Sequence, residues 1–268
     1  MSATSGYIER GRDRIYFEAT GHGAPVVLIH GFSLDLRMWE PQVGALARSH
    51  RVIRYDVRGF GRSVPVLTPH ASAAEDLLAL FDHLEIPQAH VVGMSMGGRI
   101  AIDLALTCAD RVATVVTIGA VLSGFPHSDA WNAKWPPMIQ AAQRGDLATA
   151  KRLWLADRLL TPAPDRAEVA EVVRRIVEEC LCQQFANADL LPGESVPPAA
   201  ARLGELRVPL LVLVGAFDDP DIRRIAETLA AEVPGARNVV IDDGSHLVNL
   251  ERPERINRLL LEFLDENR

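Results

Sequence analysis

The chain has 268 residues, 48% of them hydrophobic and 24% charged, enough apolar material for one large domain or two small ones. Its formal net charge of -7 argues against nucleic acid and anionic membranes as partners. No apolar run is long enough to span a bilayer, residues 1–14 contain no apolar leader segment, and the cysteines (Cys108, Cys180 and Cys182) make no even disulfide framework, so a cytoplasmic protein is expected.

Two short β segments come first, Tyr7–Glu9 and Arg14–Glu18, and read as a hairpin around Gly11-Arg12-Asp13. Strands are predicted next at Val26–His30 and Val52–Tyr55. A helix over Ala71–Leu84 follows, with Leu77, Leu80, Phe81 and Leu84 on one face. His90–Gly93 is a strand, the run from Arg99 to Ile102 is helical, and Val112–Ile118 is a strand. Between Gly119 and Arg207 no strand-like run occurs. Helices are predicted there over Pro137–Asp157 and Asp165–Phe185, and the tract 187–200, with Pro192, Gly193, Pro197 and Pro198, reads as a return linker.

Strand and helix alternate again at Leu210–Val214, Ile222–Glu232 and Asn238–Ile241. The closing helix, Pro253–Asn267, sets Ile256, Leu259, Leu260, Phe263 and Leu264 on one stripe. Alternation of this kind predicts parallel βα units and a sheet covered on both faces. The later strands are nearly continuous apolar runs, the pattern of strands buried on both sides. The long interruption predicts a helical cap over 121–205 inserted into a core made of 1–120 and 206–268. Trp131, Trp135 and Trp154 fall in that cap, where they either pack its core or line a substrate pocket.

One short motif carries chemistry. Gly93-Met94-Ser95-Met96-Gly97 follows an apolar strand and precedes a helix, the sequence form of a nucleophile elbow. The turn is tight enough to need glycine two residues either side of the serine. It also presents the hydroxyl at a helix N-terminus, where amide N–H groups favour negative charge. A glycine-rich turn with an incidental serine gives the same pattern, so partners decide between the two.

A serine hydroxyl needs a base, and the base needs an orienting acid. In a doubly wound sheet both belong in loops at the carboxyl ends of late strands. Of the eight histidines, His246 is the one that follows the last strand. The preceding strand ends in Gly215-Ala216-Phe217-Asp218-Asp219-Pro220-Asp221. Asp221 suits a helix N-cap or first turn, and Asp219 is held extended by the following proline, which leaves Asp218 as the expected acid. The N–H of Met96 is one expected oxyanion donor, and the N–H of Phe32, in the loop His30-Gly31-Phe32-Ser33, is the other. His30 is expected to hydrogen-bond within that loop, while Phe32 also offers its ring to the pocket.

With these residues in place the chain resembles the α/β-hydrolase superfamily over nearly its whole length. The likeness rests on His30-Gly31-Phe32, the Asp56–Ser63 stretch, Gly93–Gly98, Gly215-x-x-Asp218 and Gly244-Ser245-His246. Within it, Asp35–Gln42, Arg54-Tyr55-Asp56 and Ser245–Glu251 are similar to bacterial 3-oxoadipate enol-lactonases and related small esterases and perhydrolases. The lactonases typically have Asn-Ser where this chain has His30-Gly31. The resemblance implies an α/β-hydrolase fold, with a mostly parallel eight-stranded sheet flanked by helices and an inserted cap. It also implies a structural role for the Asp56–Ser63 corner.

The expected activity is hydrolysis of a small ester or lactone by Ser95, His246 and Asp218, with no cofactor. No HExxH motif or ligand-spaced cluster points to a metal, and no Walker or dinucleotide fingerprint is present. Perhydrolase or carbon–carbon hydrolase chemistry on the same residues is the alternative. A ligand-sensing protein with an idle triad is the alternative from another class. The expected partner is the small-molecule substrate alone, and oligomeric state is left open.

Overall fold

In a computed structural model, residues 3–268 are described, and they form an eight-stranded sheet ordered β1-β2-β4-β3-β5-β6-β7-β8. The strands are β1 (Ala3–Arg10), β2 (Asp13–Gly21), β3 (Ala24–Ile29), β4 (His50–Tyr55), β5 (Ala89–Met94), β6 (Val112–Ile118), β7 (Leu210–Gly215) and β8 (Arg237–Ile241). β1 and β2 pair antiparallel as a hairpin, β2 runs antiparallel to β4, and every later pairing is parallel. Parallel neighbours need crossovers, and helices supply them: α1 (Glu40–Leu46), α2 (Ala73–His83) and α3 (Met96–Thr107) in the first half and α9 (Pro220–Glu232) between β7 and β8, while α10 (Val248–Glu251) and α11 (Pro253–Glu266) follow β8. The mostly parallel sheet flanked by helices is the architecture expected from the alternation.

Every residue of β5 and β7 is buried, matching their unbroken apolar sequences. β8 departs from that expectation. It is the edge strand, and Arg237, Asn238 and Val240 are exposed, because among the described residues no strand pairs beyond it. On α11, Ile256, Leu260, Phe263 and Leu264 are all buried, so its predicted stripe closes the fold. Burying each such side chain contributes about 1.5–3 kcal/mol.

The segment between Ile118 of β6 and Leu210 of β7 carries α4 (Asp129–Ala133), α5 (Trp135–Gln143), α6 (Leu147–Leu155), α7 (Ala167–Glu179) and α8 (Gln183–Ala186). Its only β pairing among the described residues is a lone bridge between Ser72 and Gly193. The two long helices expected here are each divided. Gly145, at φ +81, ends α5, and Asp146 restarts the chain as the N-cap of α6, its carboxylate accepting from Thr149 N at 3.0 Å. α7 stops at Glu179, and Cys182 in the left-handed region (φ 51) separates it from α8. The helix expected from Ala71 starts at Ala73, because Ser72 caps it through Glu75 N. α1, α4 and α10 were not predicted; each is seven residues or fewer, too short to show a helical period.

Several bonds fasten this helical insertion to α3 and to the loop between β4 and α2. Arg99 of α3 donates to the carbonyls of Pro192 and Gly193, and Gln183 and Gln184 bond Val66 N and the Gly59 carbonyl. Beneath the corner that contains Gly59, the buried Arg58 guanidinium pairs with Asp13 and Asp76.

Candidate active site

The β5–α3 turn places Ser95. Its backbone sits at φ 52 and ψ -113, a region that costs an ordinary residue strain, and its hydroxyl-bearing side chain projects beside the first turn of α3. The glycines on either side are required by contact. A Cβ on Gly93 would run into the Gly97 carbonyl, and one on Gly97 into the carbonyl of Ile29 at the end of β3. Ser95 N–H donates to the Ile118 carbonyl of β6 at 2.9 Å, which ties the turn to the neighbouring strand.

The residue just after that strand, Gly119, borders the other half of the site. His246 Nδ1 lies 2.9 Å from Asp218 Oδ1 and 3.0 Å from Oδ2, and both side chains are buried. A Cβ on Gly119 would lie 2.9 Å from His246 Nδ1 and 3.0 Å from Asp218 Oδ2. Asp218 comes from the loop after β7 and His246 from the loop after β8, adjacent parallel strands that deliver their loops to the same end of the sheet. The neighbouring aspartates are engaged elsewhere. Asp219 is the N-cap of α9, accepting from Asp221 N at 2.9 Å. Asp221, in the first turn, accepts from Ser128 N and Oγ.

The His246 loop is braced from below. Buried Glu251 accepts from Ser245 N at 2.7 Å and from Ser245 Oγ, and a third bond arrives from Ala163 N of the insertion at 3.3 Å. Glu251 carries a role that sequence reasoning missed, since nothing in an isolated Glu signals a buried acceptor of loop amides.

The loop after β3 lies against Ser95: a Cβ on Gly31 would be 3.5 Å from Ser95 Cβ. Phe32 is the next residue of that loop and Met96 opens α3 directly after Ser95; among the described residues neither N–H donates to a protein acceptor. His30 shapes this loop. Its Nε2 accepts from Val57 N at 2.9 Å and its Nδ1 faces the Gly31 carbonyl at 2.8 Å, and full burial lowers its pKa to about 4. A neutral ring with the proton on Nδ1 satisfies both bonds.

Ser95, Met96, Phe32 and His246 all line one cavity of about 440 Å³ between the sheet and the insertion, with Asp218 behind His246. Trp131, Trp135 and Trp154 line it too. The Phe32 ring is its aromatic centre, 5.7 Å from Trp154, 6.3 Å from Trp135 and 5.4 Å from Phe185, and Trp154 is fixed by donating to Ser33 Oγ at 2.6 Å. The insertion also brings His127, Gln184, Phe185 and Glu194 to the wall, and Arg99 joins them from α3. None of these was expected. His127 stacks on Trp131 at 4.5 Å, a contact four residues apart that the sequence could have suggested. Among the described residues no cluster of three or more His, Cys, Asp or Glu is arranged to hold a metal, and no helix is long and apolar enough to cross a membrane.

Known proteins are similar to this chain in sequence and in fold. A protein of Azorhizobium caulinodans provisionally named carbamate hydrolase RutD is 30% identical, covering 97% of this chain and 98% of its own. 3-Oxoadipate enol-lactonase 1 of Acinetobacter baylyi is 29% identical over 89% of this chain and 88% of its own. The solved structure of a thermophilic esterase from Thermogutta terrifontis superposes with a TM-score of 0.83 at 29% identity, covering 99% of both chains. The profile of the alpha/beta hydrolase family matches residues 26–259, and the chain belongs to that family.

Proposed function

We propose that this protein is a serine hydrolase that cleaves a carboxylic ester or lactone of a small molecule through an acyl-enzyme, with the helical insertion as its cap. The observation that carries the reading is the His246–Asp218 pair opening onto the same cavity as Ser95, whose backbone is strained into the elbow conformation. The similarity to proteins named as an enol-lactonase and an esterase supports an ester or lactone as the bond cleaved.

Ser95 Oγ attacks the carbonyl carbon while His246 takes its proton; the C=O π pair moves onto oxygen, and the Met96 and Phe32 N–H groups stabilise that charge. Each such donor contributes about 10²–10³ in rate. Collapse of the intermediate breaks the bond to the alkoxide, which His246 protonates. Water then repeats the sequence on the acyl-enzyme, with His246 again as base, and frees the acid. Asp218 holds the imidazole tautomer and stabilises the imidazolium throughout.

Turnover of p-nitrophenyl acetate and butyrate tests this. Wild type should release p-nitrophenol, and Ser95→Ala should not above background. Activity retained in Ser95→Ala would remove Ser95 from the mechanism.

A further inference from the structure

We propose that the cavity takes uncharged substrates with apolar acyl or alkoxy groups and rejects substrates that carry a carboxylate into it. This rests on the ester hydrolase reading above and names the substrate class of the same site.

Charge bookkeeping around the wall supports it. Arg99 is the single lysine or arginine among the described lining residues, and its guanidinium is already committed. It donates to the carbonyls of Pro192 at 3.0 Å and Gly193 at 3.2 Å, and it lies 3.4 Å from Asp103 and 3.9 Å from Glu194. Glu194, which pairs with that guanidinium, also lines the cavity, so the wall offers no unpaired cation. Lys134 is close by but outside the wall. Its ammonium lies 3.6 Å from the Trp131 ring centre, with Asp219 at 3.4 Å and Asp157 at 3.7 Å. His127 stacks on the same ring at 4.5 Å, so Trp131 packs against both groups. Burial lowers the His127 pKa, so it brings no positive charge near neutral pH.

Most of the remaining wall is apolar, with Phe32, Trp131, Trp135, Trp154 and Phe185 as its aromatic part, and Gln143 and Gln184 add only neutral polar groups. A carboxylate leaving water for such walls loses its hydration and finds no free cation, and Glu194 repels it. An apolar acyl chain or aryl ring meets the opposite situation, gaining contact with polarisable ring faces and edges.

Two pairs of esters, each differing by one carboxylate, test the charge preference from either end of the ester. One is phenyl butyrate against 4-(butyryloxy)benzoate, the other methyl hexanoate against monomethyl adipate. In at least one pair kcat/KM should favour the neutral member by about a hundredfold or more, and Glu194→Gln should narrow that gap. Ratios within tenfold in both pairs would overturn the inference. A second readout does not need turnover: in Ser95→Ala, quenching of tryptophan emission should show phenyl butyrate binding far tighter than 4-(butyryloxy)benzoate. Equal binding would overturn the charge preference, whereas a wild type that hydrolyses none of the four esters but retains the binding contrast would overturn only the hydrolase reading.

Discussion

Gly119 packs so close to His246 that no larger residue fits: a methyl group on Gly119 would sit 2.9 Å from His246 Nδ1. Gly119 also adopts φ +53, a conformation that favours glycine. The chain leaves β6 here, one residue after Ile118 accepts the Ser95 amide. A single backbone position thus spaces the serine turn from the Asp–His pair.

Gly119→Ala should therefore lower kcat by at least about tenfold, by pushing His246 and Asp218 apart. The backbone strain costs about 1 kcal/mol or more in stability. Steady-state kinetics beside a thermal melt separates the two effects, and a folded variant with unchanged kcat would show that the contact does not position the pair.

Asp218→Asn should reduce kcat by about 10³-fold or more, because an amide oriented by the same neighbours no longer favours the imidazolium. Asp219→Asn keeps an N-cap side chain and should stay within a few-fold of wild type. Rate measurements on both variants distinguish the acids, and a large loss in Asp219→Asn alone would reassign the role.

Glu251→Ala removes the acceptor for Ser245 N, Ser245 Oγ and Ala163 N, leaving buried donors unpaired at a cost of about 1–3 kcal/mol. Thermal melts should show that loss, and activity should fall as the His246 loop loosens. Glu251→Gln retains one carbonyl oxygen and should recover part of both.

Acid should destabilise the fold through its buried histidines. Burial lowers the pKa of both His30 and His90 to about 4, so the folded chain keeps them neutral while the unfolded chain takes up protons below about pH 6.5. Their favourable contribution is present above pH 6.5 and is lost as pH falls towards 4. For His30 it amounts to at most about 3 kcal/mol. Buried Asp56, whose pKa burial raises to about 7, acts with the opposite sign over this window, so the His30 contribution is read by difference: His30→Gln should be less stable than wild type at neutral pH, and that gap in denaturant midpoint should narrow as pH falls from about 6.5 to 4.

Much of this site could be read from the sequence because the chemistry lives at strand ends. Apolar runs such as Val112–Ile118 and Leu210–Val214 announce parallel strands, and parallel strands deliver their following loops to one edge. Ser95, Asp218 and His246 could thus be singled out from position in the chain. The insertion was legible only in outline. Its helices are short and are broken by single residues such as Gly145 and Cys182, whose effect is local geometry rather than periodicity. The polar residues it contributes, His127, Gln184 and Glu194, reach the cavity through tertiary packing that leaves no pattern in one sequence. Glu251 was hidden for the same reason.

The most direct measurement is to map the adduct left by an organophosphate ester. Protein inactivated with diethyl p-nitrophenyl phosphate should gain one diethylphosphoryl group, and peptide mass spectrometry should place it on Ser95, with none acquired by Ser95→Ala. Inactivation with the label on any other residue, or equal labelling of Ser95→Ala, would contradict Ser95 as the nucleophile.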